Sequence, residues 1–248
     1  MTVASEIQRI EGNISAAYTA ADAKGATMPA TENSDNLATC IASIPAGGSS
    51  GKYALLDRVK DDSNNEIGTV SGFFTDANDV EYAVVCLDAQ YRKASDTWSS
   101  VKVTVTNLPE YNMDGAAIDL MANIYTDTAT SNCDKILDWC SASGNTSAAV
   151  SHCRSKSFVI GGTTYYGQLP NLCELFHICA NRAGISNADT SKSSYSSLDI
   201  ATWPQSWSSS QNTSSYAWCI YVNGAVKDLT NKTNSYFIVP VLEIPNAV

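Results

Sequence analysis

Residues 45 to 51 read Pro45-Ala46-Gly47-Gly48-Ser49-Ser50-Gly51, and the pattern on the two sides of this stretch differs in kind. Runs of small, conformationally free residues behave as flexible linkers. The chain is therefore expected to divide into a helical anchor or oligomerisation segment over residues 1–46, a linker over 47–51 and a larger domain over 52–248.

Before the linker, Ile7, Ile10, Ile14, Ala17 and Ala21 alternate spacings of three and four, which makes two heptads of an a/d seam. A helix of ~15 residues is marginal alone in water. Its stripe needs a partner, either a second short helix from about Asp35 to Ile44 or further copies of the chain. A hairpin folded back on the main domain is the other arrangement. Asn33 and Ser34 are candidate N-caps for the second helix, whose Leu37, Ile41 and Ile44 share a face. Isoleucine at both a and d favours more than two strands, so the seam predicts a homotrimer.

After the linker the periods shorten. Tyr53 to Val59, Ile67 to Phe74 and Glu81 to Leu87 read as strands, the last two joined by the turn Asp76-Ala77-Asn78-Asp79. Val101 to Val105 alternates as a half-exposed strand would. Cys133 to Cys140 carries Ile136, Leu137 and Trp139 at helical spacings, with Ser131 or Asn132 as cap. A second helix is expected from Leu169 to Arg182, with Pro170 in its first position and Gly184 ending it. Residues 186–215 form a hydroxyl-rich loop pierced by Trp203 and Trp207. Strands around Trp207-Ser208-Ser209, from Tyr216 to Val222 and from Tyr236 to Ile244 close the domain, with Asn223-Gly224 as a hairpin turn. The expected class is α+β.

Charge and cysteine usage remove several functions. The formal net charge is −10, which argues against nucleic-acid partners, because phosphate affinity is carried by Lys and Arg. No apolar run approaches the ~18–20 residues of a membrane span. No basic n-region precedes an apolar stretch, so no secretory signal is expected. The eight cysteines lie in apolar surroundings such as Val84-Val85-Cys86-Leu87 and read as reduced, buried thiols. Their spacings suit neither a zinc finger nor a knuckle.

Three stretches, in this order, resemble one family. The hairpin from Ile67 to Leu87, the helix entry Gly167-Gln168-Leu169-Pro170-Asn171-Leu172-Cys173-Glu174-Leu175, and the closing strands Trp207-Ser208-Ser209-Ser210, Ala217-Trp218 and Tyr236-Phe237-Ile238-Val239-Pro240-Val241-Leu242 resemble the C-type-lectin-like domains of bacterial and phage proteins. The resemblance covers roughly Tyr53 to Pro245. The last forty residues are similar to the variable receptor-binding proteins of diversity-generating retroelements, and the N-terminal part resembles the short helical anchors of phage tail and head fibres. The resemblance implies a C-type-lectin-like domain of small, mostly antiparallel sheets with two helices, displayed on a virion fibre or decoration protein. It implies host attachment through a bacterial surface ligand, glycan or protein, after synthesis in the host cytoplasm. Other virion proteins would hold the N-terminal segment.

The family's ligand contacts fall between Gln211 and Asn234. Here that stretch carries Asn212, Tyr216, Tyr221, Asn223, Lys227, Asp228 and Asn231. Tyr, Asn and Ser are also the composition of adaptable binding surfaces. Trp207 and Trp218 read instead as core anchors.

Enzyme chemistry finds little footing. His152 beside Cys153 and His177 two residues before Cys179 are poorly placed to face their thiols. The fold is shared with formylglycine-generating enzymes, whose reactive cysteine pair has no counterpart around Cys219. Asp57, Asp61, Asp62, Asn64 and Glu66 lack the spacing of a calcium loop. No enzyme activity, cofactor or metal is expected. The rivals to a ligand-binding fibre protein are a purely structural decoration protein and a lectin-fold enzyme.

Overall fold

The computed structural model describes residues 12–19, 21, 27–42, 52–108, 128–202, 205–221 and 226–247. The chain divides into two compact units, residues 1–54 with 247–248, and residues 55–246.

In the first unit, helix α1 (residues 12–19) and helix α2 (Ser34–Ala42) share a small core. Tyr18, Ala21 and Cys40 are buried, with Ile14, Met28 and Leu37 packed against them. The inward stripe is thus 14, 18, 21 where the heptad reading placed Ala17. Tyr18 takes that position because its ring fills the core and its hydroxyl donates to the Asn33 carbonyl at 2.8 Å. Ala17 is only half-buried, and Ile7 and Ile10 lie outside the described residues, as does the linker. Asn33 Oδ1 accepts from the Asp35 and Asn36 amides, the expected cap of α2.

The second unit is mixed α+β, with small, mostly antiparallel sheets and few helices. Strands β1 (Arg58–Lys60), β2 (Glu66–Thr75), β3 (Glu81–Leu87) and β11 (Val241–Pro245) form one antiparallel sheet in that order. The β2–β3 turn is closed by Asp76, whose Oδ1 accepts from the Asn78 and Val80 amides. A second sheet runs β4 (Lys93–Thr97), β10 (Ser235–Ile238), β7 (Ser206–Gln211), β8 (Tyr216–Tyr221), β9 (Val226–Asn231). Pro240 sits in the break between β10 and β11, where its missing N–H costs no ladder bond. A separate hairpin pairs β5 (Ser157–Ile160) with β6 (Thr163–Tyr166) through Gly161 and Gly162, both left-handed at φ 60° and 78°. Asp62 accepts from both of those glycine amides and anchors the turn.

Three helices pack on the sheets: α3 (Ala129–Ser143), α4 (Ala148–Arg154) and α5 (Leu172–Ala188). Helix α3 begins earlier than its apolar spacing suggests, because Thr128 rather than Ser131 or Asn132 is the cap. Helix α5 begins at Leu172 rather than Leu169. Asn171 and Glu174 form a capping box that fixes the start, so Pro170 lies before it. Gly184 does not end α5. It lies inside the helix, where a Cβ would stand 2.7 Å from the Leu56 side chain. Gly72 likewise admits His177 of α5 against β2, at the point where the β2–β3 register shifts.

Val101 to Val105 is not a strand. Its neighbourhood is held by side chains instead: Gln211 Oε1 accepts from the Val105 amide at 3.1 Å, and Gln211 Nε2 donates to the carbonyls of Val105 and Leu108. The fully buried Lys232 ammonium donates to the Val103 carbonyl at 2.9 Å and to Gln211 Oε1 at 2.8 Å, 4.6 Å over the Trp98 ring.

Strand β8 is buried on both faces. Trp218 and Ile220 join a core with Leu172, Leu175, Ile178 and Val241, while Ala217 and Cys219 join one with Trp98, Ile136, Leu169 and Trp207. None of the eight cysteines is in a disulfide, and all but Cys140 are buried.

Candidate functional site

The expected recognition segment is placed on β8 and β9, and the fold separates its members. Tyr216 and Tyr221 are both exposed, at the two ends of β8. Five residues apart, they point to opposite faces of the strand and stand roughly 16 Å apart along it. Tyr216 pairs with Asn231 across the β8–β9 ladder, so these two share one face. Asn212 is 4% exposed, drawn in where β7 ends, with its amide donating to the Tyr216 carbonyl at 3.0 Å. The backbone of Lys227 and Asp228 lies in β9, paired with Ile220 and Cys219. Asn223 and the turn it belongs to lie outside the described residues, as does Trp203. Trp207 and Trp218 are buried as expected of core anchors.

Sequence reasoning missed a groove of about 500 Å³ on the same unit. Its lining includes Tyr82 of β3, Tyr165 and Tyr166 of β6, Thr130 and Arg154 at α3 and α4, Gln168 after β6 and Glu243 of β11. Tyr82 is held by a parallel stack on Phe74, with centroids 5.2 Å apart. Gln168 is tied to β11 by two backbone bonds with Val241, at 2.8 and 2.9 Å. The sequence did hold a signal: the Gly161-Gly162 turn between Phe158-Val159-Ile160 and Thr163-Thr164-Tyr165-Tyr166 marks a hairpin that ends in two adjacent tyrosines.

The charges around the groove are already engaged. Glu243 Oε1 and Oε2 accept from the Ala129 and Thr130 amides at 2.7 and 3.0 Å, placing a carboxylate on the α3 N-terminus. Behind it Glu174 is fully buried, with Oε2 accepting from the Asn171 amide at 2.7 Å. Burial, and then the neighbouring Glu243 carboxylate, push the Glu174 acid well above the usual carboxylate range. Arg154 pairs with Asp134 through Nη2.

His152 and His177 are half-buried, and every cysteine but Cys140 is buried. His152 Nε2 contacts the Tyr91 carbonyl at 2.9 Å, and burial lowers the pKa of both His152 and His177. Burial pushes the Cys133 and Cys179 thiols up to about 12 and Cys153 well above its ordinary value, the opposite of an activated nucleophile. In the acidic cluster Asp61 accepts from Asn65, Asp62 from the hairpin glycines, and Glu66 pairs with Arg58. Among the described residues no group of three or more His, Cys, Asp or Glu is placed to hold a metal ion. No helix among them is long and apolar enough to cross a membrane.

No family model matches the chain, and neither a curated protein nor a solved structure matches it.

Proposed function

We propose that the chain is a virion fibre or decoration protein of a bacteriophage, and that its second unit is a C-type-lectin-like domain binding a bacterial surface glycan or protein. The topology supports the lectin-like reading: the first and last strands of the unit belong to one sheet, and the intervening chain supplies the helices and a second sheet. The resembling segments fall on matching elements, with Asn171-Glu174 as a helix entry and Trp207 and Trp218 as buried pins. The observation that carries a binding role is the exposure of Tyr216 beside Asn231, at one end of a strand whose four inner residues are buried.

The N-terminal helices would anchor the protein among other virion proteins and join copies of the chain into a homotrimer. Linked copies raise avidity by ~10²–10⁴ without new contacts, which suits a weak individual site. The test is adhesion of the full chain to a panel of bacterial cells, with Tyr216→Ala, Tyr221→Ala and Asn231→Ala beside it. Tyr216→Ala should cost about 2 kcal/mol of binding, since aromatic anchors dominate hot spots. Undiminished adhesion by all three folded variants removes this surface from the account.

A further inference from the structure

We infer that the groove lined by Tyr82, Tyr165, Tyr166, Thr130, Arg154 and Gln168 is a second binding site, built for a neutral saccharide. It shares no residue with the Tyr216–Asn231 surface and stands or falls without it.

The starting observation is Gln168. Its residue is 4% exposed, its Nε2 donates to the Tyr166 carbonyl at 2.9 Å, and its Oε1 accepts no hydrogen bond among the described residues. The donation to a carbonyl fixes which end of the amide is oxygen, so the unpaired atom is the acceptor. A second lining residue has the complementary defect. Arg154 uses Nη2 for Asp134 and the Thr130 carbonyl, and its buried Nε donates to nothing among the described residues. Both atoms are shielded from bulk water, so solvent does not compensate them. A buried polar atom left unpaired is costly, and two of the six such side-chain atoms among the described residues belong to the lining of this one groove.

The ligand that resolves both defects must donate to an amide oxygen and accept from a guanidinium N–H. A hydroxyl does both, and a saccharide presents several at fixed spacing. The remaining lining agrees. Tyr82, Tyr165 and Tyr166 supply rigid aromatic surface with polar tips, and Thr128, Thr130, Thr163 and Thr164 carry hydroxyls. Tyr166 is 51% exposed, so its ring is available at the rim.

The charge pattern selects a neutral ligand. Glu243 is spent on the α3 amides, Asp76 on its own turn and Arg154 on Asp134. An anionic sugar would meet Asp76 and Glu243, and a cation would find their oxygens already engaged. The volume of about 500 Å³ falls within the ~300–1,000 Å³ usual for small-molecule sites.

The experiment is saturation-transfer NMR on the full chain with neutral gluco-, galacto- and manno-oligosaccharides, and with uronate and phosphate sugars of the same size. At least one neutral oligosaccharide should bind, with the charged series at least tenfold weaker. Gln168→Met and Tyr166→Ala should each weaken that binding at least tenfold while the melting profile persists, and Tyr216→Ala should leave it unchanged. Tyr166 is exposed, so its variant reports on binding even if Gln168→Met disturbs folding. Absence of binding by every neutral sugar, a preference for the charged series, or binding unaffected by Tyr166→Ala in folded protein overturns the proposal. Sensitivity to Tyr216→Ala instead would move the sugar to the β8–β9 surface.

Discussion

Strand β7 and the groove beside β6 both bury polar side chains, and the fold treats them in opposite ways. All six residues of β7 are buried, three of them consecutive serines. Ser206 donates to the Phe237 carbonyl, Ser208 to the Trp218 carbonyl at 2.9 Å, Ser209 accepts from Asn132, Ser210 accepts from the Leu172 amide, and Gln211 meets Val105, Leu108 and Lys232. Three of these four hydroxyls meet a backbone group and the fourth, on Ser209, meets a side-chain amide. At the groove, Gln168 Oε1 and Arg154 Nε have no such partner among the described residues. The β7 side chains themselves are partnered, although Asn132, the donor to Ser209, keeps an unpaired Oδ1. A satisfied polar network rigidifies a core, whereas an unsatisfied atom is a standing cost. On the proposal above, the contrast is between polarity that holds the fold and polarity aimed at a ligand.

The largest effect should come from the network at the end of β7. Lys232→Met removes the donor to both Gln211 Oε1 and the Val103 carbonyl, leaving Gln211 Oε1 with only the Val105 amide and breaking two charge-assisted bonds at once. Equilibrium urea unfolding should show a loss of about 2–4 kcal/mol. A loss below about 1 kcal/mol would mean that residues 99–108 are held by something other than this network.

A pH dependence should follow from Glu174. Its acid is raised in the folded protein, so the native state binds the proton more tightly than the unfolded chain does. Stability from this group is therefore complete below the ordinary Glu value of about 4.3, and it is lost as pH rises toward the higher folded value. Gln at this position still accepts from the Asn171 amide and does not titrate. Glu174→Gln should then lose less melting temperature than the wild type between pH 5 and pH 8. Parallel curves for the two proteins would mean that Glu174 is ionised in the fold.

Much of the frame was legible in the sequence. The β2–β3 hairpin, the α5 segment and the two tryptophan pins follow from apolar runs, a cap and large apolar side chains. Strand β4 (Lys-Ala-Ser-Asp-Thr) and helix α4 were not legible, because they are short and carry little periodic apolar signal. Val101 to Val105 alternates like a strand, yet Gln211 and Lys232, more than a hundred residues away, take its backbone groups instead. The segment expected to carry recognition was legible as a composition but not as a surface: spacing across the strand puts Tyr216 and Tyr221 on opposite faces, pairing sets Asn231 beside Tyr216, and Asn212 is buried. Beyond the Gly-Gly hairpin with its two tyrosines, the groove was not legible, because its lining comes from segments as distant as Tyr82 and Glu243, which only the fold brings together.

The smallest stability change is also the most informative. If Gln168 is aimed at a ligand and Ser208 holds the fold, the two should part when their unfolding free energies are measured side by side without ligand. Ser208→Ala strips the Trp218 carbonyl of its buried partner and should cost about 1–2 kcal/mol. Gln168→Met deletes an unpaired acceptor, and the Tyr166 carbonyl it releases belongs to a half-exposed residue, so the free protein should change by less than about 0.5 kcal/mol or gain stability. A loss at Gln168→Met equal to that at Ser208→Ala would show that Gln168 is as structural as β7, and would contradict the division between the two regions.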